Sequence, residues 1–336
     1  MIADVVVGLQ YGDEGKGKVT HHLCKTGDYT HVLRFNGGCN AGHTIFHEGR
    51  KFVTHHIPAG VFFGIKSIIG NGCVLDPVQF FRELDELEAG GVNTKGLIYV
   101  AKNCHVITDD HKEEDGNDKK IGTTKRGNGP AYRDKYSRAG VLAKDVPQLK
   151  PYLIDLYDEF WNTKDVKILC EGAQGFGLDI DWGDYPYVTS SHCLTSSVLL
   201  NAIPHYAIRD VWGVAKAYET YVGAKEFQPK GHALLEKVQE VGQEFGSTTG
   251  RVRQCNWMSL PYLKKSIQLN SVNKLVINKM DVLREVNSWN LINTNGEERL
   301  YEFYSNEGEF TQRLSSYLNK LVNNLDIHFS DSPHLI

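Results

Sequence analysis

The apolar run Val5-Val6-Val7 leads directly into Gly8-Leu9-Gln10-Tyr11-Gly12-Asp13-Glu14-Gly15-Lys16-Gly17-Lys18. A buried strand therefore turns through a glycine-rich loop and enters a helix that starts near Lys16. Glycines in such a turn let backbone N–H groups close on an anion, and a helix N-terminus adds a favourable dipole. Lys16 can neutralise phosphate. Asp13 is the anomaly of the segment. A carboxylate in a phosphate cradle costs binding energy unless it holds a cation or moves a proton, so Asp13 is a candidate catalytic group.

The loop is neither of the two common phosphate fingerprints. Gly17 follows Lys16, so no hydroxyl stands where a Walker loop keeps one for Mg²⁺. The Gly-x-Gly-x-x-Gly spacing of dinucleotide folds is absent as well, and no acid closes a second strand to complete it. The rest of the chain has to define this loop's ligand.

Strands are predicted at Asp4–Leu9, His31–Phe35, Lys51–His56, Ser67–Gly70, Leu97–Ala101, Val166–Glu171, Val211–Ala215 and Lys274–Asn278. Asp76-Pro77 reads as a helix cap, with Phe80, Phe81, Leu84 and Leu87 following at helical spacing. Leu314, Leu318, Leu321, Val322 and Leu325 predict a C-terminal helix packed on the core. The polar stretch Asp109–Lys120 reads as a surface loop. Short strands ending in glycine-containing loops predict an α/β fold on a largely parallel central sheet, with sites at strand ends. No repeat or linker divides the 336 residues, so they are expected to form one domain, 1–336.

Charge and cysteine usage narrow the class. The formal net charge is −4, with no basic stripe of the kind that grips nucleic acid. No apolar stretch approaches the ~20 residues of a membrane span, and the N-terminus carries no secretory pattern. The seven cysteines are scattered without a C-x-x-C pair, which fits reduced thiols in a cytoplasmic protein. No spacing of histidines and cysteines suggests zinc.

Further segments carry chemistry. Asn36-Gly37-Gly38-Cys39-Asn40-Ala41-Gly42-His43-Thr44 is a second glycine-rich loop after a strand, and two such loops can surround a polyphosphate. His43, beside backbone amides, suits acid–base work at a phosphate. Ile121-Gly122-Thr123-Thr124-Lys125-Arg126-Gly127-Asn128-Gly129-Pro130 joins hydroxyls, glycines and cations, a set that suits a phosphate monoester. Glu171-Gly172-Ala173-Gln174-Gly175 ends a strand with a glutamine able to donate to and accept from a base edge. Thr248-Thr249-Gly250-Arg251-Val252-Arg253 sets hydroxyls and two arginines on one turn, a clamp for a dicarboxylate. Asn278-Lys279-Met280-Asp281 follows Leu275-Val276-Ile277. An aspartate there accepts from both N1–H and the 2-amino group of guanine, a pairing that adenine does not offer.

Taken together, these segments resemble the adenylosuccinate synthetases. The correspondence lies in Gln10–Lys18, Gly37–Thr44, Ile121–Tyr132, Glu171–Gly175, Tyr185–Ser191, Thr248–Arg253 and Lys279–Asp281, in the family's order. The resemblance implies GTP, IMP and L-aspartate as substrates and Mg²⁺ as cofactor. It implies that Asp13 takes the N1 proton of IMP, that His43 stabilises the transferred phosphoryl group, and that Gln174 serves the reacting base. Mg²⁺ is implied on Asp13 and the Gly42 carbonyl. Gly12, Glu14, Gly15, Lys16, Gly17, Gly42 and Thr44 would face the GTP phosphates, with Lys279, Asp281 and Ser330 framing guanine. IMP would be held by Asn40, Thr124, Arg138, Gln174, Thr189 and Val222, with Arg138 reaching the neighbouring site of a homodimer. Aspartate would fall to Thr248, Thr249, Arg251 and Arg253.

The chain also departs from the family's pattern. It is shorter than the common forms between Arg138 and Glu171, and in length it is similar to the compact archaeal and viral members. Lys125 stands where glycine is usual, and Tyr221-Val222-Gly223-Ala224-Lys225-Glu226-Phe227 replaces Arg-Val-Gly-Ala-Gly-Pro-Phe. Gln254 replaces the last arginine of the aspartate loop, and Ser332 a glycine near guanine. A viral branch that joins dGMP to aspartate is the alternative, and a non-catalytic nucleotide-binding protein a remote one. The viral branch typically has serine at the position of Asp13, so Asp13 and Asp281 together argue for IMP and GTP.

Overall fold

The computed structural model describes residues 1–117, 121–245, 250–295, 298–322 and 324–332. At its centre lies a nine-stranded sheet. From one edge to the other its strands are Asp326–Phe329, Lys274–Asn278, Ile208–Lys216, Ile2–Gly8, Lys167–Glu171, His31–Arg34, Lys66–Ile69, Ile98–Ala101 and Leu153–Ile154. Every pairing within it is parallel. The central strand Ile2–Gly8 is buried from Ala3 onwards, which is why Val5-Val6-Val7 runs without alternation, while the one buried acid, Asp4, is paired with Arg209 and Tyr29.

Seven of the eight predicted strands are members of this sheet, and the eighth, Arg50–Thr54, forms a hairpin with His43–His47. The second, smaller sheet was not foreseen. It runs in the order Tyr218–Tyr221, Gln254–Ser259, Trp289–Asn295, Glu298–Tyr304. Helix Pro77–Ala89 begins where the sequence placed it, with the Asp76 carboxylate accepting from Val78 N.

Two expectations need correction. Asp109–Gly116 is a helix, not a loop, because Thr108 caps it in a capping box with His111 and two acids occupy its first turn. The C-terminal helix covers Glu307–Asn319, so Leu321, Val322 and Leu325 lie beyond it. Those three side chains still pack on or within the core, so the helical spacing was a coincidence of burial.

Parallel strands end on the same side, so the loops after Gly8, Arg34, Glu171, Lys216 and Asn278 all emerge along one edge of the sheet. The functional segments gather there.

Candidate active site

The loops after Gly8, Arg34 and Glu171, with the segments that carry Thr124, Thr189, Val222 and Arg251, line a cavity of about 610 Å³. Its walls include Gly12, Asp13, Gly15, Lys16 and Gly17 from the first loop, and Asn40, Gly42, His43 and Thr44 from the second. Thr124, Gln174, Thr189, Val222, Arg251 and Arg253 complete the set that the sequence had singled out. Glu14, Arg138, Lys279, Asp281 and Ser330 are not wall residues. Thr248 and Thr249 lie outside the described residues.

The first loop is braced from below. Glu14 is buried, its Oε1 accepting from Gly12 N at 2.8 Å and from Gln10 N at 3.2 Å. Its Oε2 takes Lys16 Nζ at 2.5 Å. A Cβ on Gly8 or Gly175 would meet this carboxylate at 2.6 and 2.4 Å, so both positions demand glycine. Glu14 thus shapes the loop and fixes Lys16 at the wall. Helix Lys16–Thr26 starts at this point, with Gly15 left-handed at φ 97° as its cap. Its first residues, Lys16, Gly17 and Lys18, line the cavity, and a helix N-terminus there suits an anion. Helix Asn128–Ser137 offers a second such N-terminus, since Asn128 and Gly129 are also wall residues.

Asp13 is exposed and holds a left-handed backbone at φ 60°. Gln174 at 58° and Lys279 at 70° share that costly conformation for non-glycine residues. Such strain at three residues singled out from sequence alone marks them as placed by their surroundings. Asp13 Oδ2 accepts from Arg253 Nε at 2.8 Å. The same arginine gives Nη1 to Glu244 at 2.7 Å, and Glu244 also takes Lys216 Nζ at 2.8 Å and Tyr218 OH at 2.6 Å. Lys216 and Arg253 together hold the Glu244 carboxyl down at about 2, against the opposing effect of its burial.

His43 is buried and neutral. Burial, and after it the nearby Arg34 charge, lower its pKa to about 4. Its Nδ1 lies 2.6 Å from Glu171 Oε1, and Arg34 Nη1 reaches the same oxygen at 2.7 Å. Glu171 Oε2 accepts from Ala59 N at 3.0 Å. Burial pushes this carboxyl up, but His43 and Arg34 outweigh it and keep it near 2. An ionised Glu171 accepts a hydrogen bond from Nδ1–H, so the neutral ring turns Nε2 away from it. Sequence reading missed Glu171 and Arg34 as partners of His43. The available signal was an acid and a base closing two otherwise apolar strands, where a buried charge needs a counterpart.

Gln174 donates Nε2 to Asn40 Oδ1 at 2.9 Å, and Asn128 Nδ2 reaches that same oxygen at 2.9 Å. Gln174 Oε1 is buried with no protein partner, an acceptor left for a ligand. Arg251 Nη1 bonds Gly122 O at 2.8 Å and so ties the arginine turn to the hydroxyl-rich segment.

The guanine candidates form a separate cluster behind the first helix turn. Asp281 is exposed in the first turn of helix Met280–Val286, and Lys279 Nζ donates to Gly242 O at 3.0 Å. Ser330 Oγ accepts from Lys18 Nζ at 2.7 Å. Burial lowers the Lys18 pKa to about 8, opposed by Asp281 and Asp331. Lys18 is also a wall residue, so it joins this cluster to the cavity. Arg138 is exposed at the C-terminal end of its helix, away from this chain's own cavity. Among the described residues no group of three or more His, Cys, Asp or Glu side chains could by itself hold a metal ion. No described helix is long and apolar enough to cross a membrane.

Comparison with known proteins matches this arrangement. The sequence model of adenylosuccinate synthetase matches residues 5–151 and 142–295. Adenylosuccinate synthetase of Bacteroides fragilis is 41% identical, over 84% of this chain and 78% of the relative. That of Picrophilus torridus is 35% identical, over 94% and 89%. The fully ligated adenylosuccinate synthetase of Plasmodium falciparum superposes with a TM-score of 0.84 at 28% identity, covering 98% of this chain and 97% of that one. A succinoaminodeoxyadenylate synthetase of cyanophage S-2L, solved with dGMP and dATP, superposes at 0.74 with 21% identity, covering 99% and 93%, and shares the fold. By sequence and by structure the chain belongs to the adenylosuccinate synthetase family of GTP-dependent ligases, which form a C–N bond.

Proposed function

We propose that this protein condenses IMP with L-aspartate at the expense of GTP, giving adenylosuccinate, GDP and phosphate. The observation that carries the reading is the convergence of Asp13, His43 and Gln174 on one cavity, from three separate segments of the chain. Asp13 accepts the N1 proton of IMP, and the charge moves to O6. That oxygen attacks the γ-phosphorus of GTP, the β–γ bridge breaks, and GDP leaves. The amine of aspartate then adds at C6 of the 6-phosphoryl intermediate, the C6–O6 bond breaks, and phosphate departs with O6. His43, its ring fixed by Glu171, faces the phosphoryl oxygens. The arriving polyphosphate charge favours protonation at Nε2, which turns an acceptor into a donor at the moment it is needed.

Asp13 and the Gly42 carbonyl offer two hard oxygen donors in the same cavity, a set that fits Mg²⁺ taking its other ligands from phosphates and water. The ion would neutralise charge on the nucleotide phosphates. Asn40, Thr124, Thr189 and Val222 surround IMP, Arg251 and Arg253 with Thr248 and Thr249 take aspartate, and Lys279, Asp281 and Ser330 read guanine. Arg138 serves the IMP phosphate of a second subunit in a homodimer, and its exposed place away from its own cavity supports that role. The chain acts as one catalytic unit in the cytoplasm.

The preferred acceptor is IMP rather than dGMP, because the 2-amino group of guanine beside N1 needs both space and an acceptor when buried. The test is competition of equal IMP and dGMP with GTP and limiting aspartate, followed by chromatography. Adenylosuccinate is expected to dominate. A dominant 2-amino product would move the enzyme to dGMP, and no product from either would end the proposal.

A further inference from the structure

Three of the residues that break the family's sequence pattern meet in one place. Tyr221 lies at the end of the strand Tyr218–Tyr221 and pairs across the sheet with Gln254. The Gln254 side chain fastens the loop that follows Tyr221 by its backbone. Oε1 accepts from Phe227 N at 2.8 Å and Gln228 N at 3.1 Å, while Nε2 donates to Lys225 O at 2.8 Å and Gly223 O at 3.4 Å. Within that loop, Lys225 Nζ lies 5.0 Å from the ring centre of Tyr11, 5.3 Å from Phe227 and 5.7 Å from Tyr221. The three rings pack edge-on or tilted on one another at 4.9 to 5.9 Å. The ammonium also pairs with Asp184, which takes the Tyr11 hydroxyl at 3.0 Å.

Asp184 opens the turn that carries Tyr187, Val188, Thr189 and Ser190 into the cavity wall, and Tyr187 N bonds Asp184 O at 2.9 Å. Tyr221 and Val222 form the neighbouring stretch of wall. The Lys225 side chain is therefore the charged link between two wall segments that meet nowhere in sequence. Its cation satisfies a carboxylate and three aromatic faces at once. Tyr221 and Phe227 lie on its own side, and the contacts to Asp184 and to the Tyr11 ring bonded to Asp184 are the ones that weaken if the segments part.

We propose that Lys225, with Gln254 holding its loop, is a latch that positions the Tyr221–Val222 wall against the Tyr187–Ser190 wall and so sets the affinity for the acceptor nucleotide. This rests on the reading that these walls hold the acceptor, a purine nucleoside monophosphate. Lys225 is a positioning residue and touches neither GTP nor aspartate.

The experiment uses the full chain and begins with wild-type turnover of IMP and of dGMP, each with GTP and aspartate. The latch is then read on the acceptor that the enzyme uses. Lys225→Met keeps the aliphatic stem and removes the charge, and Lys225→Arg keeps the charge over the rings. For Lys225→Met, the KM and the calorimetric Kd for the acceptor should each rise about tenfold, on the order of one partly desolvated cation–aromatic contact. The KM values for GTP and aspartate, and kcat, should stay within about threefold. Lys225→Arg should recover most of the affinity. An unchanged acceptor KM in Lys225→Met overturns the latch. So does a parallel rise in all three KM values, or a loss that arginine does not restore. Absence of turnover by the wild type with both acceptors overturns the function instead, and the latch with it.

Discussion

The wall built by the first two glycine-rich loops and the cluster around Arg253, Lys279 and Asp281 are held in different ways. On the side of the first two glycine-rich loops the charges are buried and are paired before any ligand arrives: Lys16 on Glu14, and His43 and Arg34 on Glu171. The sheet's hydrogen bonds fix the backbone of Arg34 and Glu171, which face each other as register partners. On the other side the groups hang from helix starts and loops. Asp281 is exposed, Lys279 spends its ammonium on a backbone carbonyl, and Arg253 is shared between the exposed Asp13 and the buried Glu244. The groups proposed to order a phosphate for attack are pre-built. Those proposed to select aspartate and guanine are placed where a ligand can complete them.

Asp13 is where the two sides meet, so its replacement should have the largest effect. Asp13→Asn keeps the shape but cannot accept the N1 proton, and kcat should fall by about a thousandfold or more with GTP affinity nearly intact. Turnover within about tenfold of wild type would remove the base from Asp13.

Glu171→Gln tests the pre-built side. It leaves an amide that no longer enforces the His43 tautomer, and kcat should drop by about a hundredfold while the KM for GTP moves little. Because Arg34 would lose its counter-charge, a thermal melt accompanies the assay. If the single variant does not fold, the Arg34→Gln/Glu171→Gln pair removes both charges and should show the same loss of kcat. A normal kcat in either folded variant would make the network merely structural.

Arg253→Leu tests the completed side. The KM for aspartate should rise about ten- to a hundredfold, the range of one lost charge-assisted contact, with GTP binding retained. A change confined to GTP would reassign the arginine.

Asp281→Asn should shift the ratio of kcat/KM for GTP over xanthosine triphosphate by about tenfold, because the amide can donate to the 2-carbonyl that a carboxylate repels. An unchanged ratio places guanine elsewhere.

The smallest effect is one of stability. Glu219 is buried, accepts from Ser259 N at 3.1 Å, and burial raises its carboxyl to about 8. The folded state therefore keeps a proton that the unfolded chain has released. Stability from this group is complete below about 4.5 and is lost as pH rises through about 8. Glu219→Gln should flatten that decline, so its melting temperature should exceed the wild type's at alkaline pH and converge on it in acid. Parallel pH profiles would show that the carboxyl is already ionised.

The sequence by itself determined the parallel sheet, the two glycine-rich loops and most of the cavity wall. Val5-Val6-Val7 running into Gly8–Lys18 admits few conformations, and apolar runs ending in glycine have their place at strand ends. It misjudged Asp109–Gly116, where a capping box and two first-turn acids override polar composition, and the C-terminal helix, where burial beyond Asn319 imitated helical spacing. The second sheet was hidden because its parallel pair, Gln254–Ser259 with Trp289–Asn295, is non-local and its edge strand is exposed. Only the tertiary structure decided who partners whom. Glu171 meets His43 across 128 positions of chain, Arg253 meets Asp13 across 240, and Lys225 finds its three rings from two separate segments. A local pattern states what a residue can do, while pairing depends on strand order, and strand order is set by how the whole core packs.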